Sequence, residues 1–111
     1  MKIDLTDKDT VLCYIREHAF DMLKEGGGVF QYPFIDPGAG YDFNLWDWDS
    51  FWSAKSLLDL CEYFRGEKDV AAMRAKVIEH AKGNILNFLQ LQEEDGFIAM
   101  VTTKDGLFSD Y

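Results

Sequence analysis

The sequence predicts an all-α fold in which antiparallel helices are separated by one long loop. Apolar residues recur with helical spacing in three segments of the 111-residue chain. Both prolines, Pro33 and Pro37, fall between the first and second of these segments, and no regular element can run through them. The predicted helices span about residues 6–25, 48–65 and 69–93.

The first predicted helix carries its apolar residues on one side. Thr6 is expected to cap its start, with Asp9 three positions later as in a capping box. The glycines at positions 26–28 are expected to end it, because glycine adopts left-handed backbone without steric cost. The apolar residues are Leu5, Val11, Leu12, Ile15, Ala19, Met22 and Leu23.

The second predicted helix is apolar around nearly its whole circumference, so it requires neighbours on most sides. The third begins after Asp69 as its cap and ends before Asp95 and Gly96. Residues 97–101 are expected to form a short strand or an extended loop. Three such helices do not close a bundle by themselves, so the chain is expected to be part of something longer. The apolar residues of the second helix are Phe51, Trp52, Ala54, Leu57, Leu58, Leu60, Cys61, Tyr63 and Phe64.

Charge and composition exclude several classes of function. Twenty acidic against eleven basic residues give a net charge of -9, which repels nucleic acids and anionic membranes. The amino terminus carries Asp4 where a secretory signal needs an unbroken apolar stretch, and no segment approaches the length of a membrane span. A cytoplasmic location is therefore predicted. The 48% hydrophobic and 15% aromatic content exceeds what a small solitary domain hides, which indicates a covered surface.

No metal or cofactor is predicted. Cys13 and Cys61 lie in apolar helical patterns without a neighbouring Cys or His at a metal-site spacing. Both are expected to be buried free thiols, and a disulfide between them is the less favoured alternative. The glycines at 26–28 lack the lysine and the preceding strand of a phosphate-binding loop.

Residues 41–52 combine aromatic and acidic side chains where the long loop meets the second helix. Sugars present apolar C–H faces and hydroxyl edges, so a site that holds them needs flat rings and carboxylates. A helix start also offers backbone N–H groups that lack intrahelical partners. The candidate sugar-binding residues are Tyr41, Trp46, Trp48, Asp49, Phe51 and Trp52.

A purely structural interpretation explains the same segment differently. Asp47 or Asp49 would cap the second helix, and Trp48, Phe51 and Trp52 would fill a core. Pattern alone does not decide between the two interpretations.

Other titratable residues are predicted to be structural. Glu93, Glu94 and Asp95 lie at a helix end beside a turn, where carboxylates are usually solvated. His18 and His80 are isolated histidines in amphipathic helices, without a nucleophile or carboxylate arranged around them.

Two stretches resemble signatures of the six-hairpin glycosidase clan. Residues 37–41 and 45–52 read PGAGY and LWDWDSFW. They resemble the Pro-Gly-Gly-rich, Trp-Asp-x-Tyr/Phe signature of trehalases and of the related glucosidase I and mannosylglycerate hydrolase enzymes. Residues 81–98 resemble the helix and Asp-Gly turn that follow in these enzymes. Gly40 stands where trehalases have arginine, so the resemblance is to the clan and not to trehalases alone.

The resemblance implies an (α/α)6 toroid, of whose about twelve helices this chain would supply three. It implies that the indole ring of Trp48 forms one wall of a sugar subsite and that the Asp49 carboxylate accepts hydrogen bonds from sugar hydroxyls. It also implies an inverting mechanism, in which one carboxylic acid protonates the leaving oxygen and a second carboxylate activates water. In the clan both lie far downstream of the Trp-Asp pair, so no catalytic residue is expected in this chain.

Three hypotheses follow for the function. The leading one is a fragment of an inverting glycoside hydrolase acting on α-glucosides or related α-linked sugars, which contributes the sugar-binding wall but not the acid or base. Its partners would be the carbohydrate and either the remaining helices of the barrel or a self-associated partner chain. The alternatives are a small carbohydrate-binding module and a non-catalytic helical interaction module.

Overall fold

The structure is a computed structural model that describes residues 5–38 and 43–107. Helix α1 continues into a turn of 3-10 helix at Ala19–Met22, and α2 follows directly on strand β3. The remaining connections are loops. The elements are α1 (Leu5–His18), β1 (Leu23–Lys24), β2 (Phe34–Ile35), β3 (Asn44–Trp46), α2 (Asp47–Tyr63), α3 (Val70–Gln90), β4 (Val101–Thr103) and β5 (Gly106–Leu107).

The strands form two small antiparallel sheets. In the first, β1 pairs with β2, and Leu23 lies opposite Ile35. In the second, β4 lies between β3 and β5, and Leu45 lies opposite Thr102. The Val29 N–H donates to the Lys104 carbonyl at 2.8 Å, which joins the loop before β2 to the turn between β4 and β5. The second sheet thereby holds both the loop and the start of α2.

The prediction of an all-α fold, with the helices forming part of an (α/α)6 toroid, is wrong. The described residues form a mixed α/β structure of three helices and two small sheets, in which α2 and α3 pack against the strands. The physical reason is that backbone N–H and C=O groups of packed loop segments need partners, and short antiparallel pairs supply them. The segment predicted as one long loop contains β2 and most of β3.

The first helix is also shorter than predicted. Its α-helical part ends at His18, because Leu23 and Lys24 leave the helix to pair with β2. The helix starts are close to the prediction: α2 begins at Asp47, and α3 begins at Val70 directly after Asp69. Of residues 97–101, only Val101 belongs to a strand.

The core lies between α2, α3 and the first sheet. Helix α2 buries one residue on nearly every turn, at Ser50, Ala54, Leu57 and Cys61. These pack with Ile35 and with Val70 and Val77 of α3. A second cluster, beside the second sheet, contains Phe30, Phe34 and Leu45. One face of α2 therefore serves the core, and the opposite face is left to solvent.

The segment that contains β2 is attached to α3 by side chains. Asn84 accepts the buried N–H of Ile35 through Oδ1 at 2.8 Å. Asn87 accepts the N–H of Tyr32 at 3.1 Å and donates to the Tyr32 carbonyl at 2.9 Å. Between these contacts, the backbone of Pro33 lies against the α carbon of the buried Gly83. The helix thus covers the edge of β2 that β1 leaves open, and this fixes the residues that follow β2.

The two cysteines are free thiols in different environments. Cys61 is buried, as predicted, whereas Cys13 is exposed, so the prediction for Cys13 is wrong. The reason is that α1 packs only one side against the protein, and Cys13 lies on the other side. The negative charge of Glu17 raises the pKa of Cys13. The Glu17 carboxylate also accepts a hydrogen bond from the Cys13 thiol at 3.6 Å. Burial raises the pKa of Cys61 above the ordinary thiol value.

Labelling with Ellman's reagent at pH 8 should therefore show one fast and one slow thiol. Cys13 should react first, and Glu17→Gln should accelerate that phase about two- to threefold, because removing the negative charge raises the thiolate fraction. Cys61 should react only as the protein unfolds. Because its folded pKa is raised, its contribution to stability is present at neutral pH and is lost as pH rises above the thiol's ordinary pKa. Fast labelling of both thiols in the folded protein would contradict this assignment.

Candidate functional site

The candidate residues are positioned by a direct junction between β3 and α2. Trp46 ends β3 with extended backbone (φ -102°, ψ 141°) and occupies the N-cap position of α2. The N–H of Asp47 donates to the Met100 carbonyl at 2.9 Å, which ties the helix start to the residue before β4. Asp47 and Asp49 lie in the first turn, where the helix dipole favours negative charge.

The two aspartates of this turn have different roles. The Asp47 carboxylate accepts the neighbouring N–H of Trp48 at 2.6 Å, and the Asp47 carbonyl accepts the Ser50 hydroxyl at 2.8 Å. Asp47 therefore serves the helix start, although its side chain is not at the N-cap. Among the described residues, no hydrogen-bond donor contacts the half-exposed carboxylate of Asp49. The capping interpretation thus fits Asp47 in part and does not fit Asp49.

Three of the predicted rings are on the solvent side of α2. Trp48 is 68% exposed, Phe51 61% and Trp52 53%, so the interpretation of these rings as core residues is wrong. The rings of Phe51 and Trp52 pack edge to face with centroids 5.1 Å apart. Trp48 and Trp52 are four residues apart on one helix and therefore share a face. The half-buried Trp46 belongs to β3, and Tyr41 lies outside the described residues.

Asp49 and Trp52 line a cleft of about 310 Å³ between α2 and the end of α1, which we name the Asp49 cleft. Ser53 and Ser56 lie beside them, about one turn and two turns after Asp49 along α2. The rest of the lining is apolar and consists of Ile15, Ala19, Met22, Pro37, Leu57 and Leu60. The structure therefore brings Asp49 and Trp52 together in one concave site, while Trp46, Trp48 and Phe51 lie outside its lining.

Sequence reasoning missed a buried carboxylate near this cleft. Asp36 is only 2% exposed; its Oδ1 accepts the Gly38 N–H at 3.1 Å, and its Oδ2 lies 3.8 Å from the Lys24 ammonium. The available signal was an acidic residue that follows the apolar pair Phe34 and Ile35 directly. Such a residue is buried with the pair if the segment is a strand.

Glu93, Glu94, Asp95 and His80 lie outside the Asp49 cleft. Glu93, Glu94 and Asp95 are exposed, as predicted, and Asp95 accepts the Phe97 N–H at 2.9 Å. His80 is fully buried and its Nδ1 donates to the Lys76 carbonyl at 2.8 Å, which leaves Nε2 facing a Glu25 carboxylate oxygen 3.6 Å away. Within residues 5–38 and 43–107, no three His, Cys, Asp or Glu side chains gather as a metal site requires.

No protein-family model matches this chain, and no curated protein or solved structure matches it either. The resemblance to trehalases and their relatives therefore stays a prediction. In the part of the chain that the structure describes, no helix combines the length and apolarity needed to cross a membrane.

Proposed function

We propose that the solvent side of the α2 start binds carbohydrate and supplies the sugar-contacting wall of a glycoside hydrolase acting on α-glucosides or related α-linked sugars. The observation that carries this proposal is the exposure of Trp48 and Trp52 beside Asp49, whose carboxylate accepts no hydrogen bond from the described residues. In the enzymes that the motif resembles, a Trp and an Asp contact the sugar, and these are the same two residue types.

The exposed rings support a stacking surface. A tryptophan buries more apolar area than almost any other side chain, so leaving two of them in solvent forgoes a large stabilising contribution. Core packing does not account for these rings, because α2 already buries its opposite face. A flat ring on a rigid helix matches the apolar C–H face of a pyranose. We therefore assign Trp52 to the sugar face in the Asp49 cleft, and Trp48 to the rim above it.

The polar groups of the Asp49 cleft support hydroxyl recognition. A carboxylate accepts hydrogen bonds from two vicinal hydroxyls, and charge-assisted bonds of this kind are stronger than neutral ones. Ser53 and Ser56 add groups that both donate and accept. A site that combines one ring, one carboxylate and two hydroxyls is suited to a neutral polyol rather than to an anion.

The proposed role is binding, and no proton transfer is assigned to these residues. An inverting hydrolase needs a carboxylic acid and a carboxylate separated widely enough to hold the attacking water. The wall formed by Trp52 and Asp49 would hold the sugar ring in place while such a pair, elsewhere in the enzyme, performs the reaction.

A non-catalytic interaction module is the second candidate function, because α3 also exposes apolar residues. Ile85 is 62% exposed, Leu86 43% and Leu89 57%, and all three lie away from the buried face of that helix. Sedimentation velocity separates the candidates. A monomer that binds sugar supports the proposal, and a stable oligomer without sugar binding supports the second candidate.

Substitutions at the Asp49 cleft should weaken sugar binding. We expect Asp49→Asn and Trp52→Ala each to lower the affinity for glucose about tenfold, because each removes a charged hydrogen bond or a stacking surface. Isothermal titration calorimetry with glucose, mannose and trehalose measures the effect. The three sugars also show which stereochemistry the cleft accepts.

Matched controls lie on the same helix, outside the cleft. Asp59 is an exposed carboxylate that pairs with Lys55 at 3.0 Å, and Tyr63 is a ring that is 59% exposed. Asp59→Asn and Tyr63→Ala should leave sugar affinity unchanged. Binding that survives Asp49→Asn and Trp52→Ala would remove the proposed site.

A further inference from the structure

A second cavity lies beside the Asp49 cleft. It has a volume of about 620 Å³, within the range of about 300–1,000 Å³ typical of small-molecule sites. Its lining includes Tyr14 and His18 of α1, Lys24 at the end of β1, and Asp36, which directly follows β2. We name it the Tyr14 cavity.

The Tyr14 cavity and the Asp49 cleft share part of their lining, and we name the two together the groove. Ile15, Ala19 and Met22 line both, so these apolar side chains form a shared wall along the end of α1. Pro37 lines the cleft, and its neighbours Asp36 and Gly38 line the cavity. The cleft and the cavity are therefore neighbours on the surface of the protein.

The Tyr14 cavity repeats the chemistry of the Asp49 cleft. The rings of Tyr14 and His18 lie with centroids 4.4 Å apart and tilted by 40°, which gives an aromatic surface. Asp21, whose carboxylate lies 3.6 Å from His18 Nδ1, adds an exposed hydroxyl acceptor. Rings and carboxylates thus occur together in both parts of the groove.

Lys24 provides a positioned hydrogen-bond donor in this cavity. Its ammonium lies 3.8 Å from the buried Asp36 carboxylate, and this attraction favours keeping the otherwise flexible side chain at the cavity. An ammonium has three N–H groups, so it can hold this ion pair and still donate to a hydroxyl. Because Asp36 already balances its charge, Lys24 favours a neutral polyol over an anion.

We propose that the Tyr14 cavity is a second sugar subsite, so that the groove binds an oligosaccharide of at least two units. One unit lies at Asp49 and Trp52, and the next lies against Tyr14 and hydrogen-bonds to Lys24 and Asp21. This inference rests on the proposed function, because it extends the same groove.

The test compares one sugar unit with two. Calorimetry with glucose, maltose and trehalose should show at least one disaccharide binding about tenfold more tightly than glucose. Tyr14→Ala and Lys24→Met should each reduce disaccharide affinity about five- to tenfold and leave glucose affinity unchanged. Tyr14 is 64% exposed, so its truncation does not disturb a core.

Val11→Ala is the matched control. Val11 is an exposed α1 residue outside both cavities, so this substitution should change neither the glucose nor the disaccharide affinity.

The outcomes separate the two proposals. If Asp49→Asn weakens all binding but Tyr14→Ala and Lys24→Met weaken none, the second subsite is excluded and the first remains. Equal losses for glucose and disaccharide in Tyr14→Ala also exclude it, because they place the single unit in this cavity. If no sugar binds, or if Asp49→Asn has no effect, the proposed function fails and this inference fails with it.

Discussion

Gly83→Ala is expected to destabilise the protein by about 2–3 kcal/mol, the upper part of the range for overpacking a buried position. Gly83 is buried in the middle of α3, and the backbone of Pro33 passes directly over it. A methyl group on Gly83 would overlap the Pro33 carbonyl oxygen and carbon. Backbone atoms cannot rotate away as a long side chain can, so the loop has to separate from the helix.

The sign of this effect distinguishes the packing argument from helix propensity. In an exposed helix interior, alanine is more favourable than glycine by about 1 kcal/mol. Urea denaturation followed by circular dichroism should show a lower midpoint for Gly83→Ala, with an unchanged slope. Lys82→Ala, at the neighbouring exposed position, is the control and should stay within about 0.5 kcal/mol of the wild type. A raised midpoint for Gly83→Ala would show that Pro33 does not pack on α3.

The contact at Gly83 also matters for the groove. Pro33 and Ile35 lie on α3, and the next residues, Asp36 and Gly38, line the Tyr14 cavity. The ion pair between Asp36 and Lys24 follows from the same arrangement, because β2 pairs with β1 in a register that brings Lys24 opposite Phe34. Packing on the far side of the loop thus determines the shape of the proposed sugar site.

The starts of α2 and α3 could be predicted from the sequence because each follows a break in the helical pattern, namely the loop with prolines and glycines before α2 and the turn at Gly66 before α3. The end of α1 could not be predicted in the same way. Met22 and Leu23 continue the apolar repeat, yet Leu23 pairs with Ile35, which lies beyond a glycine-rich turn. A strand of two residues has too few positions to show a period of its own. The strands form because residues distant in sequence pair with each other, so local sequence patterns do not predict the mixed architecture.

The candidate site was predictable in composition and not in geometry. The aromatic and acidic residues at the start of α2 identified the segment, but α2 is apolar on every side, so its pattern does not show which face is buried. Packing of Ala54 and Leu57 in the core settles this and leaves Trp48 and Trp52 exposed. Tyr14 and Lys24 had no sequence signal, because Tyr14 is an exposed residue of α1 and Lys24 joins the groove only through the pairing of β1 with β2.

Asn84→Ala is expected to cost about 2–3 kcal/mol, because it leaves the N–H of Ile35 buried without its acceptor. Ile35 is fully buried, and Asn84 itself is only 4% exposed, so water does not easily replace the amide oxygen. Asn87→Ala should cost less, although Asn87 makes two hydrogen bonds. Asn87 is itself fully buried, but both of its bonds go to the backbone of Tyr32, a partly exposed residue, so water can replace part of what the amide supplied.

The relative stability of these two variants tests whether burial or the number of hydrogen bonds decides how firmly β2 is held on α3. Urea denaturation should give midpoints that rise from Asn84→Ala to Asn87→Ala to wild type. Gln90→Ala, which removes an exposed amide from the same helix, should match the wild type. Hydrogen exchange at Ile35 provides an independent reading, since its N–H should lose protection in Asn84→Ala and keep most of it in Asn87→Ala. The reverse order of midpoints would show that the two bonds to Tyr32, and not the single buried bond to Ile35, fix the loop beside the groove.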